Sequence, residues 1–354
     1  MQPSAKTSPR LLAWLPAHGL AAALRYIYIF GVALLLFALI LWLAGKDPLL
    51  AIKDTFMATL GTGYGLSEVI VKMIPLVFTA IAVALPSRVG LINVGGEGQL
   101  YIGAWLATWA ALTFDGLPAW VLLPLMALMG MLGGGLWAFL PAWLRARGVV
   151  NETISTLLLN YVAPSIVAFS VYGPWRSTLN SFYPQTVDFV AAARLPTFWG
   201  TRLHLGLLLS LGMLAAYWYV MKYSRWGLEM RAIGGNPQAA RRNGIAVTTY
   251  LIAILCLGGA LAGLAGMSEM AGLHGRLRPG FSPGFGYMGF LISWLSGGRP
   301  AGILLMAFLA ALIASGGDIL QITQGLPYAV VNLLLAFTLF VVLARPSLSR
   351  RVKA

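Results

Sequence analysis

The sequence predicts an all-α protein that crosses a membrane about ten times, with some of its helices broken or re-entrant. Hydrophobic residues make up 59% of the 354 residues and charged residues only 10%, which excludes a water-soluble enzyme. The 24 Lys and Arg residues lie in short clusters between long apolar stretches. They form no continuous basic face, so the net charge of +14 does not indicate nucleic-acid binding. The single cysteine, Cys256, provides neither a disulfide nor a thiolate metal site.

The predicted crossings follow from the bilayer, whose core of about 30 Å needs roughly 20 apolar residues per helix. The first and clearest crossing is Tyr26 to Ala44. The others are Ser67 to Leu85, Leu100 to Phe114, Ala119 to Leu140, Thr153 to Tyr172, Leu203 to Met221, Thr249 to Met270, Gly286 to Leu295, Gly302 to Leu320 and Leu326 to Ala344.

Two of these crossings are too short to span a bilayer as continuous helices. Leu100 to Phe114 follows a glycine-rich stretch that ends at Gly98, and Gly286 to Leu295 lies between Pro283 and Pro300. Broken helices persist in a membrane only where protein or a water-filled cavity covers their free backbone groups. Both places are therefore candidates for a transport path.

The distribution of loop cations predicts that both termini are cytoplasmic. In that orientation sixteen of the 24 Lys and Arg residues lie inside, although Arg276 and Arg278 fall on the wrong side. The predicted domains are a cytoplasmic N-terminal segment at 1–25, a transmembrane domain at 26–345 and a cytoplasmic tail at 346–354. The segment 1–25 is read as an interfacial helix, because Pro16 and His18 interrupt the apolar core that a signal peptide needs.

Catalytic motifs are missing or defective. The one Gly-Lys pair, Gly45-Lys46, has neither the glycine spacing nor the Ser or Thr of a P-loop. The three histidines are far apart in the sequence and form no metalloprotease motif. The segment Gly280 to Gly284 reads as a nucleophile elbow, but Pro283 lacks the N–H that would stabilise an oxyanion. The sequence therefore predicts a protein that is not an enzyme.

Small and polar residues inside the apolar stretches predict helix packing and a possible pathway. Glycines at Gly130 to Gly135 and Gly258 to Gly266 have the spacing that lets helices approach closely. Glu68 and Lys72 are four residues apart and are predicted to form a local ion pair. Two roles, interhelical hydrogen bonding and lining a pathway, remain open for the other deep polar residues. These residues are Asn93, Glu97, Gln99, Asn160 and Asn332.

A polar, basic segment from Trp226 to Ile245 is predicted to be cytoplasmic and to form one or two short helices. Glycine and proline interrupt it, and Ala239 and Ala240 lie near its centre. Small residues between helix breakers are typical of a helix that docks into a groove on a partner.

Three stretches resemble permease subunits of ATP-binding-cassette importers, in the branch that handles simple sugars, nucleosides and branched-chain amino acids. They are Gly90 to Gly103, Val150 to Tyr161 and Gly227 to Ile245. The first two are most similar to nucleoside-type permeases, and the third is similar to the cytoplasmic coupling loop of the whole branch. The sequence departs from the family pattern at Gly297 to Pro300.

The resemblance implies a bacterial plasma-membrane importer for a small polar solute, with a nucleoside favoured and a simple sugar next. It implies an ATPase subunit, a second permease subunit, identical or related, and an extracytoplasmic binding lipoprotein as partners. ATP and magnesium would lie on the ATPase, and no cofactor on this chain. Neutral amides and tryptophans suit an uncharged polar ring. The predicted substrate-pathway residues are Asn93, Glu97, Gln99, Trp105 and Asn160, and the predicted coupling residues are Gly234, Asn236, Ala239, Ala240, Gly244 and Ile245.

The alternative is a self-sufficient secondary transporter or channel. Such a protein needs an ion site of its own, for which Glu97, Glu269 and Asp318 are the available deep acids.

Overall fold

The structure, a computed structural model, describes residues 45–178 and 183–325, together with positions 31, 35, 38, 39, 41–43 and 333. Regular structure in these residues is α-helical, apart from a 3-10 turn at Ala191–Ala193, a π-helical turn at Met270–His274 and one isolated bridge between Thr197 and His204. The predicted all-α class is thus confirmed for the described residues. The N-terminal segment 1–25, most of the first and last predicted crossings, Asn332 and the tail 346–354 lie outside them.

The α-helices follow one another with short connections, except for two longer segments at 173–205 and 275–284. They are α1 (Pro48–Leu60), α2 (Gly63–Ser87), α3 (Gly96–Thr113), α4 (Ala119–Ala146), α5 (Glu152–Tyr172), α6 (Gly206–Tyr223), α7 (Arg225–Gly235), α8 (Pro237–Arg242), α9 (Val247–Glu269), α10 (Phe285–Ser296) and α11 (Pro300–Gln324).

Five helical segments in the described part are long and apolar enough to cross a membrane. They are Gly63–Ser87, Ala119–Ala146, Glu152–Tyr172, Val247–His274 and Pro300–Thr323. A further apolar helix, Phe285–Ser296, is shorter, as the sequence predicts for the second broken crossing.

The chain divides into two compact units. One consists of Met1–Asp54 and Leu320–Ala354; of this unit the structure describes little beyond the ends of α1 and α11. The other unit, Thr55–Ile319, contains every interaction discussed below.

Glycines join α3, α4 and α9 at the centre of the larger unit. A Cβ atom added at Gly263 would lie 2.1 Å from the carbonyl oxygen of Gly130, and one added at Gly134 would lie 2.1 Å from the carbonyl oxygen of Gly259. A Cβ atom at Gly103 would lie 2.2 Å from the Cα of Gly263. No side chain fits there, so these positions require glycine, and the predicted close packing of helices is confirmed.

The larger unit has two ends that differ in their contents. At one end lie α7 and α8, the C-termini of α2, α4 and α6, and the N-termini of α5 and α9; we call it the α7–α8 end. At the opposite end the segment 173–205 packs against the π-helical turn and the residues after it. There the N–H of Thr186 donates to the carbonyl of Leu277 at 3.0 Å, and that of Phe189 to Gly275 at 2.7 Å.

The predicted local ion pair between Glu68 and Lys72 is wrong. Glu68 pairs with Arg202 at 3.0 Å, and Lys72 pairs with Asp318 on α11. An exposed pair at this spacing contributes only about 0.3–0.5 kcal/mol. Tertiary packing therefore decides which partners these two side chains take.

Candidate functional site

Helices α3 and α10, which correspond to the two predicted broken crossings, meet at their N-termini. A Cβ atom added at Gly286, near the start of α10, would lie 2.0 Å from the backbone nitrogen of Glu97, near the start of α3. A Cβ atom at Gly96 would lie 3.4 Å from the Cα of Gly286. The two breaks that the sequence predicts separately thus form one junction, which we call the half-helix junction.

Glu97 connects the two helices at this junction. Its Oε2 accepts a hydrogen bond of 2.7 Å from the N–H of Gly286, and the side chain is buried. A helix N-terminus carries a partial positive charge of roughly half an elementary charge, which a carboxylate stabilises. The junction therefore brings two partially positive helix ends together at one buried acid.

The chain that leads into α3 is supported by one face of α5. Glu152 Oε1 accepts from the N–H of Ile92 at 3.2 Å, and Thr156 Oγ1 accepts from that of Val94 at 3.3 Å. Asn160 Oδ1 accepts from the N–H of Gly98 at 2.8 Å, while its Nδ2 donates to the carbonyl of Val94 at 2.8 Å.

These three side chains are spaced four residues apart along α5, so they lie on one helix face. They satisfy backbone groups that a broken helix leaves free, which an apolar environment requires. Asn160 was predicted from the sequence but Glu152 and Thr156 were missed, although the four-residue spacing of these three polar side chains is a readable signal.

Asn93 and Gln99 bind each other. The Nδ2 of Asn93 donates to Gln99 Oε1 and the Nε2 of Gln99 donates to Asn93 Oδ1, both at 3.0 Å. Asn93 also donates to the carbonyl of Ala82 at 3.1 Å and accepts from the N–H of Gly95 at 3.0 Å. Both side chains are fully buried. Their hydrogen-bonding groups are used within the chain, so this geometry gives them a holding role.

Trp105 lies away from the junction, about 13 Å further along α3. Its Nε1 donates to Ser170 Oγ at 2.8 Å, and its ring stacks on Trp175 with the centroids 5.4 Å apart. Four of the five predicted pathway residues, Asn93, Glu97, Gln99 and Asn160, thus come together at the junction, whereas Trp105 does not.

The predicted coupling loop forms two short helices, α7 and α8. Ser224 caps α7 by accepting from the N–H of Gly227 at 3.1 Å. Asn236 caps α8 by accepting from the N–H groups of Gln238 and Ala239, both at 3.0 Å, and Pro237 begins that helix. The predicted one or two short helices are confirmed.

The two central alanines of this loop face different ways. Ala239 is exposed, but Ala240 is buried in an apolar cluster with Val89, Met230 and Val247. Ile245 packs against the same cluster, and Gly244 makes the turn after α8 with a φ of 81°. The expectation that both alanines face a partner is therefore wrong for Ala240. A six-residue helix is too short for the sequence to indicate which side is buried.

Arg88, which follows α2, contacts three other parts of the α7–α8 end. Its Nε and Nη2 donate to Tyr217 Oη of α6 at 3.0 and 2.8 Å. Its Nη2 also donates to the carbonyl of Gly298, which accepts from Tyr217 Oη at 2.9 Å. A Cβ atom at Gly234 of α7 would lie 2.3 Å from the Arg88 carbonyl oxygen. No local pattern in the sequence indicates this role.

Comparison with known protein families assigns the chain. The family described as "Branched-chain amino acid transport system / permease component" matches residues 65–343. The chain belongs to this permease family. Among relatives of the permease, a glucose ABC transporter permease of Haloferax volcanii is 37% identical over 304 residues, covering 83% of this chain and 80% of its own length.

Two further relatives are permeases for nucleosides. A guanosine ABC transporter permease of Bacillus subtilis is 31% identical over 313 residues, covering 86% of this chain and 88% of its own. A nucleoside ABC transporter permease of Lactococcus lactis is 30% identical over 315 residues, covering 86% of each chain. The permease is thus a multi-pass membrane protein and a transport subunit rather than an enzyme, of a family that works with an ATPase and a substrate-binding protein.

Proposed function

We propose that this permease forms the membrane pathway of an ATP-driven importer for a small, uncharged polar solute, with a nucleoside favoured and a simple sugar next. It would lie in a bacterial plasma membrane beside a second permease subunit, with ATPase subunits on the cytoplasmic side and a binding lipoprotein outside. ATP and magnesium would bind the ATPase, and this chain would need no cofactor.

The half-helix junction is the observation that supports a transport path for a neutral cargo. Irregular backbone at the middle of a bundle marks the place where helices can be displaced without exposing amides to lipid. Glu97 accepts a hydrogen bond from one of the two partially positive helix ends there. The helix ends oppose a cationic cargo, and Glu97 opposes an anionic one wherever it is ionised, so an uncharged solute fits best.

The proposed topology has about ten crossings, with both termini cytoplasmic. The α7–α8 end would be cytoplasmic, and α3 and α10 would each complete a crossing together with the irregular chain that precedes them. Arg242→Cys, at an exposed position, in a Cys256→Ser background should then react with an impermeant thiol reagent in inverted vesicles and not in intact cells. Labelling from outside would contradict this orientation.

Energy coupling would start at α8 and reach the junction through Arg88. The backbone of Arg88 touches α7, and its guanidinium holds the turn at Gly298 that precedes α11 and follows α10. Helix α10, twelve residues and about 18 Å long, runs from this turn to Gly286. A movement of α7 and α8 can thus be transmitted as a rigid displacement of α10.

The secondary transporter remains the rival, but two of its three candidate acids have other partners. Glu97 binds the N–H of Gly286, and Asp318 pairs with Lys72. Glu269 is the remaining acid of the three.

Reconstitution of the complete importer tests the proposal. Proteoliposomes containing this chain with its ATPase, second permease and lipoprotein should accumulate radiolabelled guanosine or D-glucose only when ATP is supplied. ATP-driven uptake of a charged solute, with neither neutral probe transported, would overturn the proposed cargo class.

A further inference from the structure

Unpaired polar atoms concentrate at the end of the larger unit opposite α7 and α8. Ten buried side-chain nitrogen and oxygen atoms in the described part of the chain have no hydrogen-bond partner, and five of them are in one group. The group, which we call the outer polar cluster, consists of His204, Ser268, Glu269 and His274. A π-helical turn, a feature frequent at functional sites, follows Glu269 and ends at His274.

The cluster offers both hydrogen-bond donors and acceptors. His204 Nδ1 accepts from the N–H of Gly206 at 3.2 Å, so its unpaired Nε2 carries the proton and is a donor. Glu269 is 1% exposed, and neither of its carboxylate oxygens has a hydrogen-bond partner among the described residues.

A cavity of about 490 Å³ adjoins the cluster at His274. Its other lining residues include Gln185, Arg202, Arg276 and Arg278. This volume is within the range of small-molecule sites and is sufficient for a monosaccharide or a nucleoside. The cavity also lies near the half-helix junction, because Phe281 contacts His274 on one side and Tyr101 of α3 on the other, with ring centroids 6.3 and 4.5 Å apart.

The side chains that line the cavity leave little free charge for a small ion. Among the described residues, the lining contains no acid to hold a cation. Two of its three arginines, Arg202 and Arg276, are already paired with Glu68 and Asp188. No group of three or more His, Cys, Asp or Glu side chains in the described residues is arranged to hold a metal ion.

A hydroxyl group can both donate and accept a hydrogen bond, so it can bond to the histidines and to Glu269. The distance from His274 Nε2 to Glu269 Oε2 is 3.7 Å, too long for a direct hydrogen bond. An oxygen atom at about 2.8 Å from each would bridge them. An acidic side chain has two oxygens, each of which can bond to a hydroxyl, and an acidic residue bonds to the ribose 2′-OH in dinucleotide-binding folds.

We propose that the cavity and the outer polar cluster form a binding site for the vicinal hydroxyls of a neutral sugar ring, either a free sugar or the ribose of a nucleoside. The site holds cargo before it passes Phe281 toward the half-helix junction. This inference rests on the proposed function as an importer of neutral solutes.

The test compares probes that differ by one hydroxyl. Proteoliposomes with the complete importer and ATP are given guanosine against 2′-deoxyguanosine, and D-glucose against 2-deoxy-D-glucose. The ratio of uptake within each pair does not depend on how much protein is folded. We expect the wild type to prefer the diol of the pair that it transports. Glu269→Gln, which leaves one accepting atom, should reduce that preference at least about fivefold.

A second variant and a control complete the experiment. His274→Phe keeps the ring against Phe281 but removes both nitrogens, and it should also reduce the preference. Asp115→Asn, at an exposed acid of the same end, should leave it unchanged. A wild type without preference, or variants that keep the wild-type ratio, would overturn the inference while ATP-driven uptake upholds the proposed function. Uptake of neither pair would overturn both.

Discussion

The carboxylate of Glu97 accepts a 2.7 Å hydrogen bond from the backbone N–H of Gly286 and thereby joins the starts of the two broken helices. These residues are 189 positions apart in the sequence. The contact joins two irregular segments into one site. It also gives the buried Glu97 a backbone partner in place of a charged side chain.

Asn160 of α5 supports the start of α3, so Asn160→Ala should lower the stability of the protein. This variant leaves the N–H of Gly98 and the carbonyl of Val94 without partners, each of which costs about 1–3 kcal/mol when buried. The melting temperature of the purified complex should fall clearly. Ser155→Ala is the matched control, because this partly buried hydroxyl bonds only to the carbonyls of Asn151 and Glu152 in the same turn, and it should melt like the wild type. Equal melting of both variants would contradict the supporting role.

The contact between the half-helices predicts that Gly286→Ala impairs assembly. An added Cβ atom would lie 2.0 Å from the backbone nitrogen of Glu97, which cannot move without shifting α3. Overpacking of this kind costs about 1–3 kcal/mol or more. Gly212→Ala in α6, where an added Cβ has nothing within 4 Å, should be neutral or slightly stabilising. Size-exclusion chromatography and melting of the two complexes measure the difference, and a fully stable Gly286→Ala would refute the close contact.

The two alanines of α8 should respond differently to the same substitution. Ala239→Glu adds a charge to the exposed side and should abolish co-purification of the ATPase while the permease melts normally. Ala240→Glu buries a charge in the apolar cluster and should destabilise the permease itself. Arg242→Ala, at an exposed cation, should change ATPase binding by about 1 kcal/mol or less. If Ala239→Glu retains the ATPase and full uptake, α8 is a solvated connector and the proposed contact is wrong.

The contacts of Arg88 predict a defect in coupling rather than in assembly. Arg88→Lys keeps the charge but cannot hold Tyr217 and Gly298 with one planar group. Solute transported per ATP hydrolysed should fall severalfold, while the ATPase still co-purifies. Tyr217→Phe should have a similar effect, and the double variant should be little worse than either single one, because both act on one network. Arg299→Lys, on the exposed neighbour, is the control. Purely additive effects would indicate that the two residues act separately.

The breaks in the fold could be predicted from the sequence because glycine and proline act locally. The stretch ending at Gly98 and the pair Pro283 and Pro300 interrupt apolar runs, and the structure has helix ends near these places. The partners of Glu68 and Lys72 could not be predicted in this way. A spacing of four residues favours a local pair only weakly. The actual partners are Arg202 for Glu68 and Asp318 for Lys72. Only the packing of elements distant in sequence brings them close.

The sequence predicts several residues of the candidate site but not the hydrogen bonds that they form. Deep polar residues such as Asn93 and Asn160 are costly in a membrane, so the sequence indicates that each has a role. Whether that role is to hold the backbone or to bind cargo depends on which atoms are already paired. Arg88 was missed because its role depends on the close approach of three elements distant in sequence.

The most direct test of the central claim is the uptake of guanosine and D-glucose by proteoliposomes that contain this chain alone, with an imposed proton or sodium gradient. Our account predicts no uptake above protein-free vesicles, and ATP-dependent uptake once the ATPase, the second permease and the lipoprotein are added. Gradient-driven accumulation of either solute by the chain alone would contradict it and would establish a secondary transporter.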